Sequence, residues 1–145
     1  MRTISFIVLH YSAVRPNQTS SAAQIDEWHK ERVTKKGTHW KGIGYHAVIR
    51  RDGSIEPGRP VDEVGAHCYL HNRNSIGICY EGGLDEQGNP DDTRTPEQKK
   101  AMRELLEKLH QQYPNALIVG HRDLSPGLEC PGFNAVSEYR DLQPW

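Results

Sequence analysis

Long apolar segments and paired cysteines are both missing from this sequence of 145 residues. No apolar run approaches the roughly 18 residues of a membrane-spanning helix. The N-terminus has one arginine and a short apolar stretch, without the apolar core and cleavage site of a secretory signal. None of the three cysteines belongs to a CxxC pair, so the sequence implies no disulfide framework. We therefore expect a chain that is made as a soluble, cytoplasmic protein, wherever it acts.

A charge excess of either sign is also missing, since the formal net charge is −1. A protein that binds nucleic acid through bulk electrostatics would be clearly basic. Hydrophobic residues make up 35% of the chain, which is more than a disordered protein carries. A chain of this length can bury roughly 68–70% of its unfolded surface. These values predict one folded domain over residues 1–145, expected to be a monomer.

Apolar periodicity predicts an alternation of strands and helices along the chain. Strands are predicted at residues 4–9, 45–50, 75–81 and 116–119, and helices at 22–33, 96–113 and 133–139. The Asp52-Gly53 pair predicts a hairpin after the second strand. Thr95 and Gln98 have the spacing of a capping box. The predicted fold class is α/β: a single domain with a mixed central β-sheet flanked by helices.

Two of the eight histidines directly follow predicted buried strands. His10 ends the first strand, His121 ends the last one, and Cys130 follows in the next loop. Imidazole and thiolate are good zinc ligands, and a catalytic zinc uses three protein ligands with an open fourth position. These three residues are therefore a candidate zinc site. The alternative is that His121 binds a backbone carbonyl and Cys130 is a buried small hydrophobe.

Several short motifs occur in a fixed order between His10 and Phe133. They are VLHYS, GIGYH, RDGSIEPGRP, GAH, NSIGICYEGG, GHRDLSP and CPGF. In this order they resemble the N-acetylmuramoyl-L-alanine amidase family, which includes phage lysozyme-like amidases and animal peptidoglycan recognition proteins. The resemblance implies a mixed sheet flanked by helices and one zinc in a surface cleft. It also implies cleavage, in peptidoglycan, of the amide between the lactyl group of N-acetylmuramic acid and L-alanine.

The resemblance further implies roles for individual residues. The implied zinc ligands are His10, His121 and Cys130; the implied catalytic residue is Tyr45; and the residues implied to line the cleft and bind substrate are His46, His67 and Asn74. Taken alone, Tyr45 is more commonly explained as a half-buried strand residue. The two cleft histidines could be solvated or structural, and the asparagine a turn residue.

One position departs from the family pattern. Leu128 stands where phage-type members carry a lysine that helps to stabilise the tetrahedral intermediate. Some members use a glutamate base on one strand, at the place where this sequence has Cys79, and Glu81 lies two residues further on. Glu81 and Glu129 are secondary candidates, to be considered if Tyr45 is not the catalytic residue. The departure motivates an alternative function, a peptidoglycan-binding module with little or no turnover, although recognition-only members typically lose the cysteine that is Cys130 here. A closed structural metal site in an unrelated protein is a third hypothesis.

Overall fold

The structure is a computed structural model that describes residues 2–34 and 36–145. Its centre is a five-stranded mixed sheet with the order β3-β2-β4-β1-β5. The strands are β1 (Phe6–Tyr11), β2 (Ala47–Ile49), β3 (Ile55–Pro57), β4 (Ser75–Tyr80) and β5 (Leu117–Gly120). β1 pairs in parallel with β4 and β5, β2 pairs in parallel with β4, and β3 is antiparallel to β2. The predicted α/β class with a mixed sheet is confirmed.

The described residues form four α-helices beside the sheet: α1 (Ala22–Lys30), α2 (Pro96–Gln112), α3 (His121–Leu124) and α4 (Ala135–Glu138). Both long helices begin at the predicted residues, and Thr95 with Gln98 forms the predicted capping box. Ser21 with Gln24 forms a second capping box at the start of α1. Gln98 is also buried and donates from Nε2 to the carbonyls of Ile49 and Glu81, so it joins α2 to two strand ends. No helix of the described residues combines the length and apolar character needed to cross a bilayer.

The two faces of the sheet have different partners because side chains alternate along each strand. One face carries the main core, where residues such as Leu9 and Ile78 pack with Met102 and Leu106 of α2. The other face is smaller and less apolar. There Ile25 of α1 packs in one cluster with Val48 of β2 and Cys79 of β4. His10 alternates with Leu9 and Tyr11 of the main core, so it points to this second face, and it is buried. The sheet therefore presents its polar strand residues on the α1 side.

Several predicted boundaries differ from the structure; strand β1, for example, spans Phe6–Tyr11 and not residues 4–9. Helix α1 ends at Lys30, not near residue 33, and the chain turns back there with the Trp40 N–H donating to the Arg32 carbonyl. Lys35, in the segment predicted to end this helix, lies outside the described residues. Strand β2 is shorter than predicted at both ends, and the carbonyls of residues 45 and 46, just before it, accept from the N–H groups of residues 59 and 58. The segment after β5 begins with one helical turn at residues 121–124, where the Asp123 carboxylate accepts from the Gly120 N–H.

Candidate active site

Two histidines meet at the carboxyl edge of the sheet because β1 and β5 are adjacent and parallel. His10 is the second-last residue of β1, and His121 immediately follows β5. The loop after α3 brings Cys130 to the same edge of the sheet, where its backbone carbonyl accepts from the Arg122 N–H at 2.8 Å. One ligand atom from each of His10, His121 and Cys130 lies within 4.8 Å of the others. Residues from both ends of the chain thus form a compact group of potential metal ligands.

The Cys130 loop packs closely against the end of β5. A Cβ atom on Gly120 would lie 2.6 Å from Cδ of Pro131, so only glycine permits this approach. The backbone N–H of Tyr11 donates to Sγ of Cys130 at 3.3 Å. The thiol is therefore held from β5 on one side and from β1 on the other.

The electrostatics of the group suit metal ligation by the histidines. Burial, reinforced by the neighbouring imidazoles His67 and His121, lowers the pKa of His10 well below its ordinary value. Burial likewise lowers the pKa of His121. Both rings are therefore neutral at physiological pH and have a lone pair to offer. Burial raises the pKa of the Cys130 thiol to about 12, so a metal must displace its proton on binding.

The donor set fits zinc. Two imidazoles and one thiolate are a known ligand combination for catalytic zinc, and at Zn–N and Zn–S distances of roughly 2.0–2.3 Å tetrahedral ligands are roughly 3.3–3.6 Å apart. The distance from His10 Nδ1 to Cys130 Sγ is 3.9 Å, only slightly larger. In the described part of the chain no fourth ligand atom joins the three residues. The arrangement has the ligand number of a catalytic site, with one position left for water or substrate.

Tyr45 lies beside this group, with its ring centroid 5.0 Å from that of His10. Burial raises the pKa of its hydroxyl well above the ordinary value, so the hydroxyl stays protonated and can donate a hydrogen bond. Two residues of α1 place this tyrosine: the Asp26 carboxylate accepts from the Ile43 N–H, and Nδ1 of His29 accepts from the Gly44 N–H, both at 2.8 Å. Helix α1 therefore fixes the glycine-containing segment that leads into Tyr45.

A cavity of about 510 Å³ opens above the three candidate ligands. Its walls carry aromatic and apolar side chains, including Trp40, Tyr69 and Leu128. Among the described residues that line the cavity there is one arginine, Arg32. Its guanidinium lies 5.1 Å from the Trp40 ring centroid. Glu129 also lines the cavity. The sequence did not point to Arg32, Trp40 and Tyr69 as residues of the cavity, since single residues in irregular segments carry no periodic signal.

The three residues predicted to bind substrate have different surroundings. His67 lines the cavity, but both ring nitrogens contact other side chains, with His10 at 2.9 Å and Ser75 at 3.0 Å. His46 is buried outside the cavity lining; its Nδ1 accepts from the Gly77 N–H and its Nε2 lies 2.9 Å from the Glu63 carbonyl.

Asn74 ends a 3-10 turn, and its carbonyl accepts from the Ser5 N–H at 2.7 Å. It does not contribute to the described cavity lining. Of the three predicted substrate contacts, the structure thus places only His67 at the cavity. Both ring nitrogens of His46 contact backbone groups of the scaffold, whereas Asn74 makes its contact through its backbone carbonyl.

Glu81, the secondary candidate for a base, is buried away from the described cavity lining. Its carboxylate accepts from the N–H groups of Ser20 and Arg51 and from the Arg50 guanidinium, at 2.6–3.0 Å. Burial alone would raise the pKa of this carboxyl, but the hydrogen bonds outweigh it and leave the pKa below its ordinary value. Glu81 therefore joins β4 to neighbouring loops, while Glu129 remains the acidic residue at the cavity.

Comparison with known proteins agrees with this geometry. The sequence pattern of a family described as N-acetylmuramoyl-L-alanine amidase matches residues 1–133. The endolysin of Enterobacteria phage K11 is 41% identical over 143 residues, which is 99% of this chain and 85% of that protein. The endolysin of Escherichia phage T7 is 38% identical over 139 residues, covering 96% of this chain and 83% of that one.

A solved structure shares the fold along nearly the whole chain. It is the endolysin N-acetylmuramoyl-L-alanine amidase LysCS from Clostridium intestinale, with a TM-score of 0.74 and 34% identity. The alignment covers 95% of this chain and 81% of that one.

Proposed function

Because the chain belongs to the N-acetylmuramoyl-L-alanine amidase family, we propose that it is a zinc-dependent enzyme that hydrolyses the amide between the lactyl group of N-acetylmuramic acid and L-alanine in peptidoglycan. The observation that carries the proposal is the convergence of His10, His121 and Cys130 at the floor of an open cavity. Residues 1–145 are proposed to act as one amidase domain, with peptidoglycan or its muropeptide fragments as the partner.

Zinc held by these three residues would supply a Lewis acid for the scissile carbonyl and make a neighbouring water more acidic. The remaining chemistry is assigned to the chain itself. The Tyr45 hydroxyl stays protonated, and its ring centroid lies 5.0 Å from that of His10. It donates a hydrogen bond to the carbonyl oxygen as negative charge develops there, or passes a proton toward the leaving nitrogen. Trp40 and Tyr69 provide apolar walls that hold the substrate and exclude bulk water.

Charge in the cavity is distributed differently from the pattern of phage-type members. Leu128 lines the cavity where the resemblance leads us to expect a lysine, so no ammonium group is available from that position. Arg32 brings a guanidinium to the cavity from the segment after α1. We assign Arg32 to binding carboxylates of the stem peptide, because a guanidinium pairs well with carboxylates.

The test is digestion of purified cell walls and of defined muropeptides, read by loss of turbidity, new amino termini and mass spectrometry. We expect free L-alanine amino termini and an intact lactyl carboxylate, with activity lost in chelator and restored by zinc. Products cut at another bond would overturn the proposed specificity. Full activity in zinc-free protein would overturn the proposed metal dependence.

Leu128 also motivates a second candidate function, a peptidoglycan-binding module with little or no turnover. This alternative predicts cosedimentation with cell walls in zinc-replete buffer without new amino termini. The intact ligand set supports the enzyme over this module, because binding alone would not require three converging metal ligands.

A further inference from the structure

A chain of three buried side chains runs from the sheet to the candidate metal site. Ser75 Oγ lies 3.0 Å from Nε2 of His67, and Nδ1 of His67 lies 2.9 Å from Nε2 of His10. The exposed fractions of Ser75, His67 and His10 are 0%, 8% and 1%. The nitrogen of His10 that faces Cys130 is the other one, Nδ1. His67 therefore contacts the His10 ring on the side away from the candidate metal position.

Hydrogen-bonding rules allow only two proton arrangements along this chain when both rings are neutral. In the first, His10 donates its Nε2–H to Nδ1 of His67, and His67 donates its own Nε2–H to the Ser75 hydroxyl. In the second, every donor is reversed, and His10 carries its hydrogen on Nδ1. Only the first leaves a lone pair on Nδ1 of His10, the atom that faces the other candidate ligands. A metal site thus requires the first arrangement.

The position of the His67 ring is fixed by the surrounding backbone. A Cβ atom on Gly77 would lie 2.6–2.7 Å from atoms of this ring, so the glycine in the middle of β4 provides the space it occupies. A Cβ atom on Gly65 would lie 2.8 Å from Cδ2 of the same ring. The backbone N–H of His67 donates to Oδ1 of Asn72 at 2.9 Å. The ring therefore has little freedom to rotate away from His10.

We propose that His67 and Ser75 are positioning residues that hold His10 in the tautomer with its hydrogen on Nε2, so that Nδ1 is ready to bind the metal. This assigns to His67 a supporting role in place of the substrate contact that the sequence suggested. The proposal rests on the zinc site of the proposed function, but the tautomer itself is a property of the metal-free protein. Partners of this kind are typically worth about 10- to 100-fold in metal affinity.

The first test is nitrogen NMR of the histidine rings in the metal-free wild-type protein. Long-range proton–nitrogen correlations identify which ring nitrogen of His10 carries the hydrogen. We expect the hydrogen on Nε2. A hydrogen found on Nδ1 would overturn the proposal, whether or not the protein is a zinc amidase.

The second test measures zinc affinity by competition with a chromophoric chelator. Ser75→Ala and His67→Leu should weaken zinc binding by about 10- to 100-fold, and His67→Asn should retain more affinity than His67→Leu because its amide oxygen can accept the hydrogen of His10. The matched control is Ser20→Ala, since Ser20 is also 0% exposed but its hydroxyl contacts Ser12. Wild-type affinity in both Ser75→Ala and His67→Leu would overturn the proposal. Absence of zinc binding in the wild type would instead overturn the proposed function, and the NMR result would still decide the tautomer.

Discussion

The backbone N–H of Tyr11 donates a hydrogen bond of 3.3 Å to Sγ of Cys130, although 119 positions separate the two residues. This contact joins the end of the first strand to the loop after the last one. The same two segments supply all three candidate metal ligands. Metal binding and the closure of the fold should therefore be coupled.

Metal content should depend on each of the three ligands. His10→Ala, His121→Ala and Cys130→Ser each remove one of three ligand atoms, and we expect purified variants to lose the one zinc per chain. Elemental analysis by mass spectrometry measures this. Cys68→Ser is the matched control, because Cys68 lines the same cavity outside the ligand group and should keep its zinc. A full zinc complement in Cys130→Ser would contradict the ligand assignment.

Removal of zinc should lower the melting temperature. A ligand that binds only the folded state stabilises it by about 2.7 kcal/mol at a hundredfold excess over Kd. For a chain of this length that corresponds to roughly 5–10 °C. Calorimetry with and without a chelator measures the difference, with Cys130→Ser as the variant that should not respond. Identical melting curves for loaded and metal-free wild type would contradict the coupling.

Tyr45→Phe should retain zinc and fold but lose turnover. The ring and its packing against His10 remain, and only the protonated hydroxyl is removed. General acid–base assistance is worth about 10²–10⁴ in rate, and we expect the upper part of this range because Leu128 provides no polar substitute. Cleavage of a muramoyl-peptide by the zinc-loaded variant is the measurement.

Tyr113→Phe, at another half-buried tyrosine, is the control and should leave the rate unchanged. Should Tyr45→Phe remain within a few-fold of the wild type, the catalytic partner must be sought elsewhere. Glu129, which lines the cavity, would then be the next residue to replace.

Arg32→Ala should weaken substrate binding more than it slows the chemical step. One charge-assisted hydrogen bond is worth about 1.5–3 kcal/mol, so we expect KM to rise roughly ten- to hundredfold with a smaller change in kcat. Arg32→Lys should retain part of the affinity. Arg73→Ala, at an exposed arginine outside the described cavity lining, is the control. An unchanged KM for Arg32→Ala would exclude Arg32 from substrate binding.

Glu81→Gln should destabilise the metal-free protein at neutral pH by about 1.5–3 kcal/mol, the value of hydrogen bonds to a charged group. The pKa of Glu81 is lower in the folded state than in the unfolded one. Its contribution is therefore fully present above the unfolded-state pKa and is lost as the pH falls through the folded-state pKa. Urea unfolding across this pH range should show the wild type and variant converging in acid.

The exposed Glu86→Gln is the matched control and should track the wild type at every pH. A stability difference between Glu81→Gln and wild type that stays constant down to the lowest pH would contradict the role of the Glu81 carboxylate.

The sequence by itself determined the local elements. Capping residues such as Thr95 and Gln98 act within a few positions, and the Asp52-Gly53 turn sets a hairpin that the structure contains. It also determined the candidate ligand group, because strands that end in histidine bring those residues to one edge of a parallel sheet. These signals depend on spacing along the chain, which the sequence displays directly.

Only the tertiary structure decided what surrounds each site residue. His67 contacts both His10 and Ser75 because Gly77, in the strand next to β1, leaves space for the His67 ring, and no local pattern encodes these contacts. Glu81 shares a strand face with Cys79, yet its carboxylate is satisfied by backbone groups brought in from distant loops. The hydrogen-bond partners of a buried polar group are set by long-range packing, which residue spacing does not specify.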